Sequence, residues 1–273
     1  MLSLIQRYDL DFNARQLTFD KAGGLWFLGP YDEIARYDIG RRETKVISVA
    51  PNSSCSSFSS DLIVYGTWGG EVWAIDCSSL EINRLFVHPQ GSRIAEVFVH
   101  RFGELIFCST KLEIFGFDRT GRVTMRVPFR FAIDIVAQDD QLWILDSSET
   151  IYRLNLLTND LVEVQKNSGC LLLRNAMKGL VVGYGRGLTM FDRDGCVVER
   201  VNGSFNNMAW DNKSCILNSP NQDRHINLTK FDRPLQQLDC YSVSNCDSVV
   251  SIEGLGFVIS RAGELLFYSY EVD

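Results

Sequence analysis

The sequence predicts an all-β fold, a propeller of seven four-stranded antiparallel blades forming one domain over residues 1–273. Three observations predict it: a short apolar run recurs seven times, its spacing matches a four-stranded unit, and no helix-period segment longer than a turn or two interrupts the series.

The runs begin at Leu25, Leu62, Leu105, Leu142, Leu180, Cys215 and Gly256, and successive first residues lie 37, 43, 37, 38, 35 and 41 positions apart. That is the length of four short strands with their turns. Runs such as Leu142-Trp143-Ile144-Leu145 are apolar throughout and suit strands covered on both faces. Each is followed by a segment that tends to alternate, such as Glu71-Val72-Trp73-Ala74-Ile75-Asp76, which suits a strand nearer the rim. Next comes an acidic or amide residue and a turn, as in Phe117-Asp118-Arg119-Thr120-Gly121 and Phe191-Asp192-Arg193-Asp194-Gly195. The side-chain oxygen accepts turn amides and glycine supplies positive φ, so the recurring acid is read as hairpin chemistry rather than a ring of ligands.

Closure follows from a strand count. The last repeat has strands near Ser248–Ile252, Gly256–Ser260 and Glu264–Tyr270 and lacks a fourth, whereas Leu2–Phe12 precedes the first complete repeat. The N-terminal strand, residues 2–12, is therefore expected to complete the last blade and cover an edge that would otherwise invite pairing with another chain.

Phe19-Asp20-Lys21-Ala22-Gly23-Gly24-Leu25-Trp26-Phe27, followed by Glu33-Ile34-Ala35-Arg36-Tyr37-Asp38, resembles the repeat of the virginiamycin B lyase-like, NHL and two-component-regulator propellers. Asp139-Asp140-Gln141-Leu142-Trp143-Ile144 carries the same element, and the other repeats carry it in outline. The lyase resemblance would imply metal-assisted ring opening by paired histidines. This chain has His88, His100 and His225 with no H-x-H, so that activity is not expected.

Other chemistry is equally unsupported. There is no G-x-S-x-G, and Gly183-Tyr184-Gly185-Arg186-Gly187 precedes a strand, not the helix a phosphate loop requires. Residues Met1–Phe12 contain Arg7, Asp9 and Asp11 and read as neither a secretory signal nor an anchor, and no stretch of eighteen apolar residues occurs. The eight cysteines form no C-x-x-C unit and several lie inside apolar strands, which suggests reduced thiols in a cytoplasmic protein. A formal net charge of −7 disfavours nucleic acid, whose binding needs clustered basic side chains, and membrane insertion is not expected.

The innermost strands hold the axial candidates. Gln16, Ser57, Glu96, Asp134, Leu171, Asn207 and Ser248, with Asp247 adjacent, fall at matching places and would face one shared channel. Glu96, Asp134 and Asn207 supply oxygen ligands of the kind Ca²⁺ or Mg²⁺ prefers, and gluconolactonase-like propellers hold a divalent cation with such a set. A water-filled polar channel without cofactor is the simpler expectation.

The expected function is a non-enzymatic protein-interaction scaffold or a subunit of a larger assembly, with another protein as partner. Loops 218–225 and 87–92 and the aromatic Trp68 would supply contacts, through Trp68, His88, Asn221 and Arg224. The alternative is a metal-dependent hydrolase or lyase, or a small-ligand sensor, acting at the axial channel.

Overall fold

A computed structural model describes residues 2–10, 14–28, 33–49, 52–99, 105–175, 180–205, 207–210, 215–220, 225–231, 237–244, 248–252, 256–261 and 263–270. Its strands form seven four-stranded antiparallel sheets. Sheet 1 comprises β2 (Arg15–Phe19), β3 (Leu25–Leu28), β4 (Glu33–Asp38) and β5 (Glu43–Val49). Sheet 2 comprises β6 (Ser53–Phe58), β7 (Leu62–Thr67), β8 (Glu71–Asp76) and β9 (Ile82–Val87). Sheet 3 runs β10 (Glu96–Val99), β11 (Leu105–Ser109), β12 (Glu113–Asp118), β13 (Val123–Pro128). Sheet 4 runs β14 (Ala132–Gln138), β15 (Gln141–Asp146), β16 (Ile151–Asn155), β17 (Leu161–Gln165). Sheet 5 runs β18 (Cys170–Asn175), β19 (Leu180–Gly185), β20 (Gly187–Asp192), β21 (Val197–Asn202). Sheet 6 runs β22 (Asn207–Trp210), β23 (Cys215–Pro220), β24 (His225–Phe231), β25 (Gln237–Ser244).

The remaining sheet joins the two ends of the chain. β1 (Leu2–Asp9) lies on β28 (Glu264–Tyr270), followed by β27 (Gly256–Arg261) and β26 (Ser248–Ile252). β1 is antiparallel to β28, with Leu2 opposite Tyr270 and Asp9 opposite Glu264. Tyr8 then packs edge-on against both Phe267 of β28 and Tyr37 of sheet 1.

Burial follows strand position. The second strands β3, β7 and β15 are buried along almost their whole length, while the outermost strands β9, β13, β17 and β21 are largely exposed. A strand sandwiched between neighbouring sheets must be apolar on both faces, whereas a rim strand needs only one. The core is therefore distributed between sheets rather than gathered in one centre. Leu62, Val64 and Val72 of sheet 2 pack on Val97, Ile106 and Phe117 of sheet 3, and Leu25 and Phe27 of sheet 1 pack on Val258 and Leu265 of the last sheet. The innermost strands adjoin in order from β2 through β6, β10 and β14 to β18, and from β22 through β26 back to β2.

Candidate functional site

The antiparallel order divides the connections between two ends. Those joining the first strand of a sheet to the second, and the third to the fourth, share one end, here the turn end. Those joining the second strand to the third, and each sheet to the next, share the opposite, open end.

At the turn end the acidic residues are occupied by their own hairpins. Asp118 accepts from the amides of Thr120 and Arg122 at 2.9 and 3.1 Å, and Asp192 accepts from those of Asp194 and Cys196 at 2.9 and 2.8 Å. Asp76 does the same for Ser78 and Ser79, whose hydroxyl and amide hydrogen bonds hold its carboxyl down at about 2. Asp20, in the Phe19–Phe27 element, is the most deeply engaged. It accepts from the amides of Ala22 and Gly24 at 2.9 and 2.7 Å, from Trp26 Nε1 at 2.9 Å and from Arg36 Nε at 2.7 Å. Burial alone would raise this carboxyl, but the hydrogen bonds from Arg36, Trp26 and Gly24 hold it below the usual range. The repeat element is thus a structural clamp. A cleft of about 520 Å³ at this end is lined by Asp140, Arg153, Asp160 and Arg193, yet Arg193 lies 2.7 Å from Asp140 and Arg153 donates to the Arg193 carbonyl. Asp160 accepts from the Thr158 hydroxyl at 2.6 Å, so each of these groups already has a partner within the protein.

The axial cavity, about 330 Å³, is lined by Gln16, Ser57, Glu96 and Asp134, together with Ser56, Phe98 and Arg174. Four of the expected channel residues do come together. Gln16 Nε2 donates to the Ser56 carbonyl at 3.3 Å, and the Ser56 hydroxyl returns a bond to the Gln16 amide oxygen. The Ser57 hydroxyl accepts from the Val99 amide at 3.2 Å. Asp134, only 3% exposed, accepts from the Ile135 amide at 2.9 Å, the Leu173 amide at 2.7 Å and Arg174 at 3.3 Å.

Burial raises the Glu96 carboxyl well above the usual range, and the neighbouring Asp134 raises it further against the pull of Arg174. Asp134 is also raised by burial, with Arg174 and the amides of Leu173 and Ile135 opposing. Asp134 has the larger set of donors, and Glu96 has the neighbouring Asp134 charge raising it as well as burial. This donor set fits a divalent cation poorly: a guanidinium already faces Asp134, whose oxygens are engaged by amides. Among the described residues no group of three or more His, Cys, Asp or Glu is placed to hold a metal ion.

Sequence reasoning placed Leu171 at the channel, and the structure corrects this. The register skips between Cys170 and Leu172, so Leu171 is the extra residue of a bulge and turns outward, exposed, while Leu172 and Arg174 line the cavity. Arg174 was missed for the same reason. The side chains of Asn207 and Ser248 fall outside the described set, and Asp247, Asn221 and Arg224 lie outside the described residues altogether, as does His100. Of the segment 218–225 expected as a loop, Asn218–Pro220 belong to β23 and His225 opens β24.

The open end has a different chemistry. Trp68 is 55% exposed, Leu112 50% and Phe131 47%, and Ile133 and Leu171 are also exposed. They lie on four consecutive sheets, 2 through 5. The Arg93 guanidinium sits 3.5 Å from the centre of the Trp68 ring, and Lys111 Nζ lies 5.5 Å from that of Phe131. The loops beneath are fixed by backbone bonds: Trp68 N to Asn52 O at 2.9 Å, Ile94 N to Thr67 O at 3.1 Å, Phe131 N to Lys111 O at 3.0 Å and Ser147 N to Phe131 O at 3.0 Å. Phe131 has φ of 60°, a left-handed conformation unfavourable for a bulky side chain. The surrounding bonds hold this strain and direct an aromatic ring into water.

His88, expected among the contact residues, is 4% exposed and belongs to the scaffold instead. Its Nδ1 accepts from the amides of Gln90 and Ser92 at 3.2 and 3.3 Å, and its ring packs edge-on against Phe115. It thereby shapes the loop that carries Arg93. The cysteines at 55, 77, 108, 170 and 196 are free thiols, and burial pushes Cys77 up to about 12, which makes it inert at neutral pH. Among the described residues no helix is long and apolar enough to cross a membrane.

Comparison with known proteins bears on the fold. No family profile and no curated protein matches the chain. Among solved structures, the crystal structure of the WD40 beta propeller domain of Doa1 superposes with a TM-score of 0.73 at 10% identity, covering 99% of this chain and 97% of that one. The fold is a β-propeller of four-stranded blades. At that identity the likeness reaches the architecture and does not single out the lyase-like repeat type, and propellers serve many unrelated functions.

Proposed function

We propose that this chain is a non-enzymatic protein-interaction scaffold, a single ring of seven blades closed by β1, that presents the open end to a partner protein. The observation that carries the reading is the row formed by Trp68, Leu112 and Phe131, three large apolar side chains held out on hydrogen-bonded loops of adjacent sheets. Ordered aromatic anchors lose little freedom on binding and tend to dominate interface energy. A solvated surface without a partner has no use for a strained, exposed Phe131.

The axial alternative receives less support. The Glu96, Asp134 and Arg174 group is closed on itself, which suits a rigid polar plug better than a reaction centre. The scaffold reading is tested by affinity capture from the native host with the wild-type chain and with a Trp68→Ala/Leu112→Ala/Phe131→Ala variant of matched melting temperature. Proteins retained by the first and lost by the second support the reading. An identical set on both, or none on either, overturns it.

A further inference from the structure

We infer that the partner element recognised at the open end is an acidic segment carrying bulky apolar side chains. The inference rests on the scaffold reading above and adds the chemistry of the occupant.

The argument is one of charge. The chain as a whole carries a net −7, yet cationic side chains accompany the apolar row: Arg93 beside Trp68, Lys111 beside Leu112 and Phe131, and Arg130 next to Phe131 in sequence. Carboxylates in the neighbouring open-end connections and strand starts are already committed. Glu149 is 3.0 Å from Arg186, Glu113 is 2.9 Å from Arg126, and Glu71 is 3.1 Å from Arg84. Among the described residues, none of Arg93, Lys111 and Arg130 has an ion-pair partner within 4.0 Å. The surface therefore offers uncompensated positive charge interleaved with apolar anchors, and its complement is a segment in which Asp or Glu alternates with Leu or Phe. A nucleic acid backbone would use the cations but gain nothing from aliphatic Leu112, Ile133 and Leu171.

The test uses the full chain and short fluorescein-labelled peptides. One alternates Glu with Leu and Phe, a second has Lys for Glu, a third has Ser for Leu and Phe, and an oligothymidylate of similar size is the fourth probe. The expected result is binding of the first alone, weakened about tenfold or more by Arg93→Glu/Lys111→Glu/Arg130→Glu and by added salt, with the melting temperature unchanged. Failure of the first peptide to bind, equal binding of the lysine copy, or preferential binding of the oligothymidylate overturns the inference. The charge-reversed variant is also run in the capture experiment. If it keeps the partners that the apolar variant loses, the acidic partner is refuted while the scaffold stands; if neither variant loses any, the scaffold itself falls.

Discussion

The two ends of the propeller use similar residue types for opposite purposes. At the turn end Asp20, Asp76, Asp118 and Asp192 are consumed by backbone amides, and arginines such as Arg36 and Arg193 by carboxylates. At the open end Arg93 and Lys111 lie over aromatic rings, which leaves their charge available to a partner. Polarity alone therefore does not mark an interaction surface. What separates the ends is the exposed apolar row at the open end. There Arg93 and Lys111 stand beside solvent-facing rings without an ion-pair partner among the described residues, while the carboxylates Glu71, Glu113 and Glu149 are already paired.

That contrast makes predictions of descending size. Asp20→Ala removes the shared acceptor of Trp26 Nε1, Arg36 and two amides, so about 3 kcal/mol of stability should be lost. Chemical denaturation should report it, with no change in partner capture. Gly121 lies at φ of 84°, where a Cβ would collide with the Leu85 carbonyl of the adjacent sheet. Gly121→Ala should then lower the melting temperature by roughly 5–10 °C, again without touching binding. If either turn-end variant folds normally but loses the partner, the division of labour between the ends is wrong.

Phe131→Gly should behave in the opposite way. It relieves the positive φ, so the melting temperature should hold or rise by about 1–3 °C while peptide binding drops. Glu96→Gln probes the axial group. Because the folded carboxyl titrates above its unfolded value, the native state binds more protons, and stability declines as pH rises from about 4 through the raised folded pKa. The amide should remove that decline and raise the melting temperature at pH 8 by about 2–4 °C. Asp76 has the reverse sign: with its carboxyl at about 2, its contribution is complete above about pH 4 and disappears as pH falls through 2. Asp76→Asn should therefore flatten the acid limb of a melting-temperature profile by the smallest amount of the series.

Much of the architecture was legible because it is written in short-range patterns. Continuous apolar runs identified the sandwiched second strands, and the unmatched strand at each terminus identified the pairing of β1 with β28. The channel residues were legible where the strand is regular, as at Glu96, or where the parity survives, as at Asp134. Leu171 failed because one inserted residue reverses which side chain faces inward, and periodicity cannot register a single-residue bulge. The open-end row was only partly visible. Trp68 stood out as an aromatic in a Gly-rich turn, but the role of Phe131 depends on a backbone conformation that its neighbours impose, and Arg93 acquires meaning only from the ring beneath it. His88 misled for a related reason: a loop position implies exposure, whereas here the loop folds around the imidazole.

The strand at the beginning of the chain has a consequence for biosynthesis. Because Leu2–Asp9 finds its place only beside Glu264–Tyr270, the circle stays open at one side until residues 264–270 have left the ribosome. Closing it joins residues from opposite ends of the chain, a contact of the kind that slows folding. During that interval an unfinished sheet edge is available to a second nascent copy, so yield in cells should respond to translation speed and chaperone supply more than the finished protein's stability would suggest.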